Sequence, residues 1–198
     1  FYTVQALNAM MPGRFAEDLY FRYGSQDQFT LFSLVYKPFL AAFGIADGNL
    51  ILTVFGQGLW VTGLFYLARG MFRDRTMALV AVTAAIVLPG NLDLLRSGEP
   101  ILTPRLFAEA FTLYAMGSML RGRPVRALIL LCLSIVIHPL MTLPGLAVLF
   151  MYEAIKRPVL WLAGALAVIA TLVLAACGVQ PFSRLFISFD PAWLAIVR

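Results

Sequence analysis

Long apolar runs recur along the chain, and their length is the tightest constraint on its fold. The clearest are "NLILTVFGQGLWVTGLFYLA" (49–68), "TMALVAVTAAIVLPG" (76–90), "LFAEAFTLYAMGSML" (106–120) and "VLWLAGALAVIATLVLAACG" (159–178). At about 1.5 Å per residue, roughly 20 residues cross a hydrocarbon core of ~30 Å. Charged residues make up only 13% of the chain and hydrophobic ones 61%, whereas soluble domains carry about 25% charged residues. The pattern predicts an all-α fold: a polytopic transmembrane helical bundle in one domain, 1–198. The chain opens inside an apolar run at Phe1 and is expected to be part of a longer protein.

The run from Val125 to Ile155 is too long for one untilted span, at about 46 Å if straight. It contains "SIVIHPLMTLPG" (134–145), with the only histidine of the chain. Pro139 interrupts a helix and pushes His138 away from α geometry. Thr142 is then expected to cap a new helix, with Pro144 in its first turn. The expectation is a short helical hairpin broken at His138-Pro139, with legs at about 125–138 and 142–155.

Charge supports the reversal independently. The clusters "RGMFRDR" (69–75), "RGRPVR" (121–126) and "KRP" (156–158) hold eight of the fifteen basic residues. The positive-inside rule places all three in the cytoplasm, which a hairpin allows and a single kinked helix does not. The net charge of +5 therefore reads as topology, and no nucleic-acid partner is expected. Seven of the ten acidic residues, Glu17, Asp18, Asp27, Asp47, Asp93, Glu99 and Asp190, fall in the outer segments. Those segments are a loop with interfacial helices over 12–47, the loop before the span at 105–120, and 179–198. The run "FTLFSLVYKPFLAAFGI" (29–45) is read as an outer-face interfacial helix, with Tyr36 and Lys37 at headgroup level. Cys132 and Cys177 have no metal-type spacing and are read as small buried hydrophobes.

Three constellations carry possible chemistry. In "RFAEDLYFRYG", Glu17 and Asp18 are adjacent carboxylates with Arg14 and Arg22 nearby. They suit a solvated capping stretch, a general base or a divalent-cation ligand. In "RSGEPILTPRLFAEA", Arg105 opens a membrane helix with Glu109 one turn deeper, where an ion pair is available. It is either a self-neutralising structural pair or a functional one. Glu99 and Arg96 in the preceding loop are weaker signals of the same kind. His138 either satisfies backbone groups freed by Pro139 or, with free N–H groups at the next helix start, holds a phosphate. Gly56, Gly58 and Gly63 read as helix-packing positions.

The arrangement resembles the GT-C class of membrane glycosyltransferases, which use polyprenyl-phosphate-linked sugars. An acidic pair in the first outer loop ("FAEDLYF") is followed by horizontal helices ("FTLFSLVYKPFL") and then by helices joined through short basic inner loops. "TPRLFAEAFTLYAMGSMLRGRPVRALILLCLSIVIHPLMTLPGL" is similar to bacterial membrane proteins of this class. The resemblance implies that Asp18 or Glu17 deprotonates or orients the acceptor. It implies that Arg105, His138 and Arg22 meet the leaving lipid phosphate, and Glu99 joins this substrate-binding set. A divalent cation is optional. The partners are a lipid-linked sugar donor and membrane lipids, at a bacterial inner membrane with the active face periplasmic. A transporter or flippase of a lipid-linked or anionic substrate, or a non-catalytic scaffold subunit of a membrane complex, are the alternatives.

Overall fold

A computed structural model describes residues 2–11, 13–15, 17–18, 20–21, 30–87, 99, 101–179 and 182–183. Arg22, Arg96 and nearly all of 180–198 lie outside these residues. Among the described residues the fold is all-helical, with seven helices: α1 (Tyr2–Met10), α2 (Phe32–Met71), α3 (Arg75–Val87), α4 (Pro104–Leu120), α5 (Pro124–Ile137), α6 (Pro139–Lys156) and α7 (Val159–Ala176). Two of them, α2 and α7, are long and apolar enough to cross a membrane. The chain divides into two compact units, Phe1–Leu149 and Phe150–Arg198.

The first unit is built around α4, whose buried positions run round most of its circumference, from Pro104 through Phe107, Thr112 and Ala115 to Met119. It packs on α2 and α5. Glycines let α2 come close. Gly56, Gly63 and Gly70 recur every seven residues, which keeps them on one helix face. They meet Leu106 and Phe107, the Ala110 carbonyl and Tyr114, and Leu120 and Arg121 respectively. On α4, Gly117 lies against Tyr66 and the Leu67 backbone. Gly58, expected to pack, faces open space; two residues from Gly56, it sits on the opposite side of the helix. The core joins these residues to the N-terminal elements through Ala6, Phe32, Tyr36, Leu40, Leu52 and Trp60.

Helix α2 is two helices in sequence. Gly44 adopts φ 74° and ψ −177°, a conformation costly for residues with a Cβ. The break is sharp: a Cβ on Gly48 would lie 2.9 Å from the Phe39 carbonyl oxygen. In a straight helix these residues would be about 13 Å apart. The leg before Gly44 buries Phe32, Ser33, Tyr36 and Leu40 and exposes Leu34, Val35 and Phe43. This two-sided helix occupies the run read as interfacial. The long apolar leg follows it.

The chain also turns back at His138. Ser134 Oγ and Thr142 Oγ1 are 2.6 Å apart. A Cβ on Gly145 would fall 2.7 Å from Leu131, fourteen positions earlier and about 21 Å away in a continuous helix. Helix α6 starts at Pro139, three residues before the expected start at Thr142. Proline is favoured at N1 because its missing N–H has no partner there in any case. The Thr142 hydroxyl instead donates back to the His138 carbonyl at 3.1 Å.

The second unit holds the end of α6 and the highly apolar α7. Gly164 packs on Phe150, and Trp161 meets the same ring edge-on at 5.5 Å. Cys132 and Cys177 are free and exposed, against the expectation of burial. Cys132 shares α5 with the exposed apolar residues Leu128, Ile129 and Val136, so a small apolar thiol suits that surface as well as a core.

Candidate functional site

The chemistry gathers where α4 begins. Thr103 is the N-cap residue of α4 and Pro104 follows at N1. The Thr103 side chain makes no cap hydrogen bond but donates to Glu99 Oε2. The other carboxylate oxygen of Glu99 accepts from Arg105 Nη1 at 3.1 Å. The Glu99 carbonyl accepts from Gln57 Nε2 on α2. Glu99 is thus held from three directions. Arg105 pairs with it rather than with Glu109, whose Oε2 accepts the Trp60 indole N–H at 3.0 Å. Helical spacing made the Glu109 pair available, but the loop returns a carboxylate to the helix start, where Arg105 is 42% exposed.

These groups line a cavity of about 290 Å³ with Tyr2, Thr3, Asn49, Ile101 and Leu102. Tyr2 and Thr3 come from α1, which is fastened to α2 by a Tyr2–Phe32 edge contact and a Thr3–Tyr36 hydrogen bond of 3.3 Å. Burial pushes the Tyr2 phenol above its usual pKa; Arg105 opposes this and Glu99 adds to it. The phenol therefore stays a neutral hydroxyl facing the cavity.

His138 belongs to the same end of the unit: Ser134, one turn before it, donates to the Ala108 carbonyl of α4 at 2.9 Å. The histidine is buried and serves two helices. As the C-cap of α5, its N–H donates to the Ser134 carbonyl at 2.8 Å. Preceding α6, its Nδ1 accepts the Met141 N–H at 3.4 Å. With Nδ1 as the acceptor, the hydrogen-bond pattern assigns the proton of the neutral ring to Nε2. The carbonyls at the end of α5 are satisfied by the chain before α2: Leu31 N–H donates to Val136 at 3.0 Å, and the Thr30 hydroxyl donates to Ile137. The break is therefore a satisfied turn, and the imidazole contributes to it by capping α6.

Glu17 and Asp18 lie elsewhere. Both are exposed and neither lines the cavity. The Asp18 carboxylate accepts the Tyr20 N–H at 2.8 Å, a local turn bond. Tyr20 in turn accepts from Gln5 on α1, which ties the acidic pair to the helix that supplies Tyr2. Among the described residues no three His, Cys, Asp or Glu side chains gather at one place.

Of the residues singled out in the sequence, the structure brings together Arg105 and Glu99, while His138 does not line their cavity. Asp18 and Glu17 are also left outside the cavity. Gln57, Thr103, Asn49, Tyr2 and Thr3 were missed. Gln57 had a usable signal, an amide in the middle of an apolar run. Tyr2 and Thr3 had none, because their position depends on how α1 docks. No known family, curated protein sequence or solved structure matches the chain.

Proposed function

We propose that the protein is a polytopic membrane protein of GT-C type that holds the phosphate of a polyprenyl-phosphate-linked sugar at the mouth of α4. The single observation that supports this most is the Arg105 cavity. It combines a half-exposed guanidinium, the hydroxyls of Tyr2 and Thr103, and the amide of Asn49. A guanidinium has five N–H donors and Glu99 engages it through one nitrogen, so donors remain for an anion. A lipid phosphate arriving from the bilayer meets a polar cavity flanked by exposed apolar residues such as Ile101.

In this reading the Arg105 N–H groups stabilise the negative charge left on the phosphate as the acceptor oxygen bonds to the anomeric carbon and the sugar–phosphate bond breaks. Asp18 or Glu17 takes the acceptor proton. The helices α3 to α6 span or enter the bilayer with α2 and α7, at a bacterial inner membrane with the cavity on the periplasmic side.

Titration of the purified protein with a synthetic polyprenyl phosphate tests the binding step. Arg105→Ala is expected to weaken binding about tenfold, as for loss of a charged hydrogen-bond partner. Equal affinity would reject the site. In a sugar-transfer assay with the full-length protein, Asp18→Asn at the wild-type rate would reject the base.

Two observations favour a scaffold instead: Arg105 already has a carboxylate partner, and the acidic pair is outside the cavity. A scaffold would bind no polyprenyl phosphate at any concentration tested, while Arg105→Ala would still lower stability.

A further inference from the structure

The opposite end of the first unit carries unneutralised charge. Gly122 (φ 69°) closes α4 with two bonds, Gly122 N–H to the Met119 carbonyl and Arg123 N–H to the Ser118 carbonyl, the Schellman pattern. Pro124 then starts α5 at once. This tight turn brings Arg121, Arg123 and Arg126 beside the α2–α3 turn with Arg69, Arg73 and Arg75. Contact between the turns is direct: Arg121 Nη2 donates to the Tyr66 carbonyl at 2.9 Å, and its guanidinium stacks on the Tyr66 ring at 3.8 Å.

Among the described residues of the two turns there is one acidic side chain, and it is occupied. Asp74 caps α3 by accepting the Met77 N–H at 2.8 Å and forms no ion pair with a described residue. Arg69 and Arg121 donate to carbonyls, which orders the side chains without cancelling their charge. Arg73, Arg75 and Arg123 are exposed, and their side chains bond to no described residue. Arg126 is exposed as well, over the Tyr66 ring at 5.8 Å. Next to the arginines the surface turns apolar: Met71, Phe72, Met77 and Val80 on one side, Val125, Leu128 and Ile129 on the other, all exposed.

We propose that this end is a docking surface for anionic phospholipid headgroups, with Arg73, Arg75, Arg123 and Arg126 meeting the lipid phosphates. The proposal rests on the membrane reading above. It goes beyond an orientation signal, because it makes the stability of the protein depend on the charge of the surrounding lipid. The apolar collar selects the occupant. An acidic protein or a nucleic acid would leave those side chains in water, whereas a headgroup layer has acyl chains directly beneath its phosphates.

The test places the full chain in nanodiscs of phosphatidylcholine alone, and of phosphatidylcholine with phosphatidylglycerol. Unfolding temperature is read in each. The expected result is insertion into both, with unfolding several degrees higher in the phosphatidylglycerol discs. The quadruple variant Arg73→Gln, Arg75→Gln, Arg123→Gln, Arg126→Gln should lose most of that rise, while Arg14→Gln, a basic residue far from these turns in the sequence, should keep it. Insertion with equal unfolding temperatures in the two discs overturns the proposal and leaves the membrane reading standing. A quadruple variant that keeps the rise also overturns it. So does an equal rise in phosphatidylcholine discs from inorganic phosphate, an acidic peptide or RNA. Failure to enter either disc overturns the membrane reading and this proposal together.

Discussion

Each end of α4 carries an arginine, and the two are held in opposite ways. Arg105, at the start, meets the Glu99 carboxylate at 3.1 Å. Arg121, sixteen positions on and about 24 Å along the axis, meets only carbonyls and the face of Tyr66. The first arrangement cancels a charge and leaves a polar cavity of neutral hydroxyls around it. The second orders a guanidinium while leaving its charge intact, among five further arginines. One helix thus separates the site proposed for a single anion from the surface proposed for a sheet of them. The helix dipole opposes part of this division, since it favours cations at the C-terminus and anions at the N-terminus. A cation at the N-terminal end is therefore costly without Glu99, whereas Arg121 sits where the dipole helps.

The packing between the ends can be broken first, and the largest effect is expected at Gly117. A Cβ there would lie 2.6 Å from the Tyr66 ring and 3.2 Å from the Leu67 Cα, and backbone cannot swing aside. Gly117→Val should cost about 3 kcal/mol, the upper part of the overpacking range, and release Arg121 from its carbonyls. Gly56→Ala, near the other end, meets only the movable tips of Leu106 and Phe107 and should cost less. Gly58→Ala meets nothing and should be neutral or slightly stabilising. Thermal unfolding in one detergent ranks the three, and an equal loss for all would show that α2 and α4 do not pack as described.

Arg121→Lys comes next. Lysine keeps the charge but loses the planar fork that reaches the Gly117 and Tyr66 carbonyls while stacking on the ring. A loss of about 1–2 kcal/mol is expected, in line with charged hydrogen bonds. Trp60→Phe follows, at about 1 kcal/mol, because it removes the indole donor from Glu109 while keeping most of the packing. If Arg121→Lys proves neutral by the same measurement, charge rather than geometry is all that end requires.

What was legible in the sequence divides along the same line. The arginine end could be read, because basic clusters between apolar runs are local signals. The break at "HPL" was legible too, since proline acts on its own backbone and that of the residue before it. The helix start three residues early was missed because Pro139 at N1 competes with Thr142 as a cap, and both suit their place. The partner of Arg105 was not legible. Helical spacing offers Glu109 at a known distance, while Glu99 sits in a loop whose path no periodicity encodes. That loop residue is held by Gln57 from another helix, and such a contact exists only after α2 and α4 have packed. The seven-residue spacing of Gly56, Gly63 and Gly70 was present throughout and separates the packing glycines from Gly58.

A small stability effect, and the outcome that sharpens the comparison most, belongs to Glu99→Gln. The pair is partly exposed, 42% on the Arg105 side and 17% on the Glu99 side, so its loss should cost no more than about 1 kcal/mol. Glutamine retains an oxygen for the Thr103 hydroxyl, and the Glu99 carbonyl keeps its bond from Gln57. The architecture of the cavity is therefore expected to survive while its electrostatics invert. Arg105 would then stand at its end of α4 as Arg121 stands at the other, ordered but not neutralised. Affinity for an anion in the cavity should rise several-fold, and that rise should shrink with added salt. The measurement is a titration with polyprenyl phosphate at low and high ionic strength, with Arg105→Ala in the Glu99→Gln background as the second variant. If affinity falls in Glu99→Gln, the carboxylate positions Arg105 rather than competing for it, and the difference between the two arginines is one of alignment as well as charge.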